Sequence, residues 1–201
     1  MWESVPTTKI VQTDRYRKIY KLVRKLKQEL PKRKNQRLKN YDYSLNGCYF
    51  VTVCVKNRLQ ILGTIKSSES QFLPPVVELS ETGKTVDKYI NMICKSYDNV
   101  FVDNYIIMPD HIHLLISIEK PYYPVNQNNL KIKDVSISTI IRTTKSLITK
   151  ELKTSIWQKS FYDEIITDEK TYMKASQYID DNPVCWFMGK HNDENIVFRS
   201  I

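Results

Sequence analysis

The chain is poor in glycine, with four in 201 residues. A glycine-rich loop that cradles phosphates needs several glycines close together, so a nucleotide-binding site of that kind is excluded. No apolar run approaches the roughly 20 residues needed to span a bilayer. The start, Met1-Trp2-Glu3-Ser4, has no apolar signal core, and a cytoplasmic protein without membrane attachment is the expectation. The four cysteines, Cys48, Cys54, Cys94 and Cys185, form no Cys-x-x-Cys pair, which leaves neither a zinc knuckle nor a redox pair. Cys54 lies in an apolar strand pattern and reads as an ordinary buried thiol. Histidine is scarcer still: His111, His113 and His191.

What is abundant is positive charge, and it is unevenly placed. Residues 1–39 carry 13 Lys/Arg against three acids, a net +10; the remaining 162 residues carry 18 against 19, a net −1. The length suits one domain with an appendage. Ile19, Leu22, Val23, Leu26 and Leu30 make one helical stripe, ended by Pro31. The opposite face carries Arg24 and Lys25 among seven basic residues. Such an arm is an electrostatic handle for nucleic-acid phosphates; a solvated helix or tail, or a membrane-surface helix, fits the same pattern.

Beyond Asn40 the pattern changes. Residues 49–55 read as a strand. Residues 64–78, with three serines and two prolines, read as a loop. Ser80 is an expected N-cap, with a helix marked by Val86, Tyr89, Ile90 and Ile93. Strands are expected at 100–108 and 111–118, joined by the turn Pro109-Asp110. A polar connector at 119–133 holds Tyr122 and Tyr123, which could stack on unpaired bases or simply pack. A helix follows over 136–153, with Ile137, Ile140, Ile141, Thr144, Leu147 and Ile148 on one stripe. Ile165-Ile166 suit a short strand. A last helix spans 168–181, stopped before Pro183. Mixed helices and strands with an antiparallel hairpin argue α+β.

Strand alternation sends His111, His113 and Leu115 to one face, and Ile112, Leu114, Ile116 and Ile118 into a core. Two imidazoles so placed can converge on one ion. A lone His-x-His also occurs on ordinary surfaces and in cores. Nitrogen and oxygen donors without a thiolate suit Mg or Mn, with zinc as the alternative. His191, between Lys190 and Asn192, reads as exposed. In the last helix Tyr172, Ala175, Ser176 and Ile179 share a side. Tyr178 flanks it, with Asn182 close in angle four residues later. That places a phenol and an amide towards one point; a packing tyrosine and a helix cap give the same spacing.

The runs Gly47-Cys48-Tyr49-Phe50-Val51-Thr52, Met108-Pro109-Asp110-His111-Ile112-His113, Trp157-Gln158, Phe161-Tyr162, and Tyr178-Ile179 followed by Asn182-Pro183 occur together in this order. In this the chain resembles the single-tyrosine HUH transposases, closest to the REP-associated tyrosine transposases, over residues 41–186. The resemblance implies a ferredoxin-like α/β sandwich with a central antiparallel sheet and the histidines on a central strand. Charge and pattern set off a basic arm at 1–39 and a tail at 187–201, neither of which shares in the resemblance, from a domain at 40–186 that the resemblance implies is catalytic. The resemblance implies a divalent metal, Mg or Mn, on His111 and His113, with Asn182 as a further ligand and Tyr178 as nucleophile. The implied activity is cleavage and rejoining of single-stranded or hairpin DNA through a 5′-phosphotyrosine, by a nucleoid-associated monomer or homodimer. Arg142 and Lys145, with Arg24 and Lys25 of the arm, are candidate DNA contacts. Glu164 stands where family members often carry histidine, and Thr167 where they often carry arginine. A non-catalytic nucleic-acid-binding module and a water-using metal phosphodiesterase are the competing readings.

Overall fold

The computed structural model describes residues 46–68, 73–119 and 135–189. Arg24, Lys25, Tyr122, Tyr123 and His191 lie outside the described residues.

The β-branched and aromatic run that reads as a strand forms β1, Gly47–Cys54. It is followed by one 3-10 turn, Lys56–Arg58. Strands β2, Gly63–Lys66, and β3, Val76–Leu79, pair antiparallel with Thr64 opposite Glu78 and Ile65 opposite Val77. The expected loop at 64–78 is therefore a two-stranded sheet at its ends. Its serines and prolines masked the β-branched Thr64, Ile65, Val76 and Val77, whose shape favours the extended chain.

Helix α1, Glu81–Asn91, is capped by Ser80, whose hydroxyl accepts from the Gly83 amide at 3.0 Å and donates to the Ile61 carbonyl at 2.7 Å. A short α2, Ile93–Ser96, leads into β4, Val100–Met108, and β5, His111–Ile118. Helix α3, Ile137–Leu152, is capped by Ser136. Strand β6, Tyr162–Ile166, precedes α4, Glu169–Phe187, capped by Asp168.

The four-stranded sheet runs β4-β5-β1-β6 with every neighbouring pair antiparallel. With α1 after β1 and α3 after β5, this is the ferredoxin-like βαββαβ order. One face carries the main core. Val51, Val53, Ile112, Leu114, Ile116 and Ile118 meet Val86 and Ile90 of α1 and Ile137, Ile140, Ile141 and Ile148 of α3. Leu147, expected on that stripe, is 38% exposed. It lies at the edge of the stripe, where the helix surface turns to solvent. Across the two helices Glu151 accepts from Lys88 and from the Tyr89 hydroxyl.

The other face carries α4. Phe50, Leu115 and Ile166 meet Ala175 and Ile179 in a second, smaller cluster, with Tyr172 and Tyr178 packed against it. The Asn104 amide of β4 donates to the Ser176 hydroxyl and to Asp180, each at 3.0 Å. The helix does not stop before Pro183 but continues through it to Phe187. An interior proline removes one helical hydrogen bond. Tertiary packing outweighs that here, since Asn182, Pro183 and Val184 are all buried.

Candidate functional site

The sheet register builds the site. On the α4 face, His111 stands opposite Cys54 and Met108, and His113 opposite Thr52 and Ile106. Thr52 also faces Tyr162 on β6, and the next row holds Leu115, Phe50 and Glu164. Both histidines are buried on the central strand β5, as the alternation requires. Glu164 lies one row from His113 on the same face.

Each imidazole is held from its outer side. His111 Nδ1 lies 2.5 Å from Asp110 Oδ1, and His113 Nδ1 lies 2.8 Å from the Thr52 hydroxyl. A carboxylate accepts only, so Nδ1 of His111 carries the proton. The two Nε2 atoms face one another at 3.0 Å. Burial, then the neighbouring His111 and Arg58, hold the His113 imidazole well below its ordinary pKa. His113 is thus a neutral donor at physiological pH, the form that ligates a metal.

Helix α4 lays three side chains over the pair. The Tyr178 ring meets His113 edge-on with centroids 5.2 Å apart, and Phe50 stacks on the same imidazole at 5.1 Å. Trp186 covers His111 at 6.1 Å. Asn182, between them on the helix, is buried and its side chain bonds Tyr178. Burial pushes the Tyr178 phenol up to about 12, against a smaller opposing effect of that bond.

The separation of the two Nε2 atoms is that of a hydrogen bond, and it would also suit two ligands of one divalent ion. Nitrogens about 2.1 Å from one centre and at right angles about it stand about 3.0 Å apart, the separation found. Among the described residues no group of three or more His, Cys, Asp or Glu gathers as a metal site. Two imidazoles with an amide would leave positions open, and such positions accept a substrate oxygen.

The structure brings His111, His113, Tyr178 and Asn182 together. It does not place Arg142 and Lys145 with them: both lie on α3, across the sheet from α4. Lys145 donates from Nζ to the Gln158 carbonyl at 2.7 Å, and burial lowers its pKa. Its first role is to fasten α3 to the segment before β6. Arg142 is exposed and, with Lys145 and Lys159, lines a cleft of about 530 Å³.

Sequence reasoning missed Asp110, Thr52, Arg58 and Trp186. The carboxylate directly before the first histidine was a usable signal. Thr52 needs the β1–β5 register, and Trp186 needs a helix that outlasts its proline. Among the described residues no helix is long and apolar enough to cross a membrane.

Comparison with known proteins agrees with this layout. Residues 49–182 match the model of the family described as "Transposase IS200 like". An uncharacterized protein of Haemophilus influenzae is 30% identical over 168 residues, covering 77% of this chain and 89% of that protein. A second protein of that organism, provisionally named a REP-associated tyrosine transposase, is 26% identical over 157 residues, covering 73% and 77%. A solved REP-associated tyrosine transposase bound to a REP hairpin shares the fold with a TM-score of 0.50 at 19% identity, over 74% of this chain and 73% of that one. The histidine strand and the tyrosine helix as far as Asn182 fall inside the matched span, and the chain belongs to the family of IS200-like transposases, which cleave DNA and transfer its strands.

Proposed function

We propose that this transposase cleaves and rejoins single-stranded DNA beside a hairpin through a covalent bond to Tyr178. His111, His113 and the Asn182 amide would hold a divalent ion, Mg or Mn. The observation that carries the reading is the edge-on contact of the Tyr178 ring with His113, whose Nε2 faces that of His111, while the Asn182 side chain bonds Tyr178. Hairpin DNA is supported by the solved transposase of like fold, which is bound to a REP hairpin. Arg142 and the basic arm, with Arg24 and Lys25, would contact phosphates away from the reacting bond.

The Tyr178 oxygen attacks the scissile phosphorus. An O–P bond to the phenol forms and the bond from phosphorus to the 3′-oxygen breaks. The phenol gives up its proton to solvent, and the departing 3′-oxygen takes one. Reversal with the same or another 3′-hydroxyl rejoins DNA without a nucleotide cofactor, because the phosphodiester energy stays in the phosphotyrosine. A bound divalent ion would polarise the phosphate. That help is needed, since a phenol with a pKa of about 12 is almost wholly protonated near neutrality. The buried aromatic rings around the pair keep the phenol in one orientation.

The test incubates the full chain with labelled single-stranded hairpin DNA and Mn or Mg, followed by a denaturing gel. A covalent protein–DNA band that disappears in Tyr178→Phe is expected. Cleavage with no band would favour a water-using phosphodiesterase. Binding without cleavage would favour a non-catalytic module.

A further inference from the structure

We propose that Arg58 is a positioning residue for the metal site, acting through Asp110 to aim the Nε2 lone pair of His111. The proposal rests on the metal reading given above. Arg58 Nε lies 3.3 Å from Asp110 Oδ2, and the other oxygen of that carboxylate lies 2.5 Å from His111 Nδ1. The chain of contacts therefore runs guanidinium, carboxylate, imidazole, with the far nitrogen of the imidazole facing His113 at 3.0 Å. The Asp110 side chain is only 8% exposed, so its orientation depends on these protein partners.

The backbone is shaped to deliver this guanidinium. Asn57 and Arg58 both have positive φ, at 56° and 55°. That region is unfavourable for residues other than glycine and is kept where surroundings over-determine it. The surroundings here do. The Lys56 amide donates to the Ile156 carbonyl at 2.7 Å, the Arg58 amide to Val55 at 3.0 Å, and the Leu62 amide to Pro109 at 2.9 Å. The last bond ties the segment following Arg58 to the very turn that carries Asp110. Arg58 Nη1 also reaches Cys54 Sγ at 3.1 Å, which fixes the plane of the fork.

A carboxylate with one partner can rotate; with two it presents a fixed oxygen to Nδ1. That oxygen decides the tautomer and the ring angle of His111, the usual support for a ligating histidine. Thr52 does the corresponding work for His113 without a charge. The two imidazoles are thus steadied differently, and only His111 depends on an ion pair.

Charge and positioning predict opposite signs. Arg58→Gln removes a positive charge beside a cation site, which by electrostatics alone tightens metal binding. Positioning predicts weaker binding, about 10- to 100-fold, the usual effect of losing such support. The experiment measures Mn²⁺ affinity of the full chain by calorimetry and by electron paramagnetic resonance, with metal-free melting curves as the control for folding. Nitrogen-15 spectra of the histidine rings report the His111 tautomer. Arg58→Gln should bind Mn²⁺ more weakly and shift that tautomer. Combined with Asp110→Asn it should add nothing to the loss from Asp110→Asn alone, because both act on one path. Arg58→Lys keeps the charge without the fork and should also bind more weakly than the natural protein. It carries the test if Arg58→Gln does not fold. Equal or tighter binding in the folded variants, or additive losses in the double variant, would overturn the role of Arg58 alone. A natural protein that binds no divalent ion would overturn the metal reading itself, and Arg58's role with it.

Discussion

The Tyr178 ring stands edge-on to the His113 imidazole, 5.2 Å between centroids, although the two residues belong to different layers of the fold. The contact fixes where the phenol can go. Tyr178→Phe keeps the ring and loses the hydroxyl with its bond to Asn182. Its expected cost in stability is about 1 kcal/mol, measurable by denaturant unfolding, while the covalent DNA band vanishes. A band that persists would move the nucleophile to Tyr172 or Tyr162.

His111→Ala and His113→Ala should each abolish Mn²⁺ binding and cleavage but leave most of the DNA affinity, read by calorimetry and by gel shift. Metal chelation of the natural protein should reproduce both effects. Cleavage that survives chelation would refute a catalytic ion.

The metal-free protein should lose stability in alkali through Tyr178. Its phenol is pushed up to about 12 in the fold, from an ordinary value of 10. The folded state therefore holds the proton more tightly. Stability from this source is complete below about pH 10 and is lost as pH rises through about 12. Two units correspond to about 3 kcal/mol. Urea unfolding between pH 8 and 11 should fall more steeply for the natural protein than for Tyr178→Phe, and parallel curves would contradict the burial of this phenol.

Deletion of residues 1–39 removes a net +10. DNA affinity should drop. The salt dependence should flatten by about 0.7 for each single-strand phosphate that the arm neutralises in the natural protein. An unchanged slope would show that the arm does not meet DNA.

Gly83 sits under the loop that follows β1. A Cβ there would lie 1.9 Å from the Leu62 carbonyl oxygen. Gly83→Ala should cost about 3 kcal/mol by overpacking against backbone, seen as a lowered unfolding midpoint.

Much of this layout was legible in the residues. The alternation of 111–118 placed the histidines on one face and four aliphatic residues on the other, and the structure keeps both assignments. Ser80 announced its helix by capping chemistry, and the helices expected to begin near Ser136 and Asp168 are found to be capped by those residues. Two elements were not legible. A β-ribbon whose strands are four residues each offers too short a pattern beside serine and proline. Pro183 signals a helix end locally, and only the burial of Asn182 and Val184 explains why the helix ignores it. The support of the imidazoles was hidden for another reason. Thr52 reaches His113 across the β1–β5 pair, and Arg58 reaches Asp110 from the turn after β1; both placements are properties of the folded sheet.

The placement of α4 on its own face has a consequence for the timescales of the molecule. The sheet and its other two long helices share the larger core, whereas α4 is fastened by the smaller cluster and by Asn104. Proteins open in cooperative units, and the unit with less buried apolar surface opens at lower free energy. Amide protons of α4 should therefore exchange with solvent ahead of those in β5. The group that would carry DNA covalently, and the Asn182 amide with it, ride on the unit that opens first, while the two imidazoles that would grip the ion sit in the unit that opens last. A strand bound to the tyrosine could then leave and return to a pair of imidazoles that stays in place.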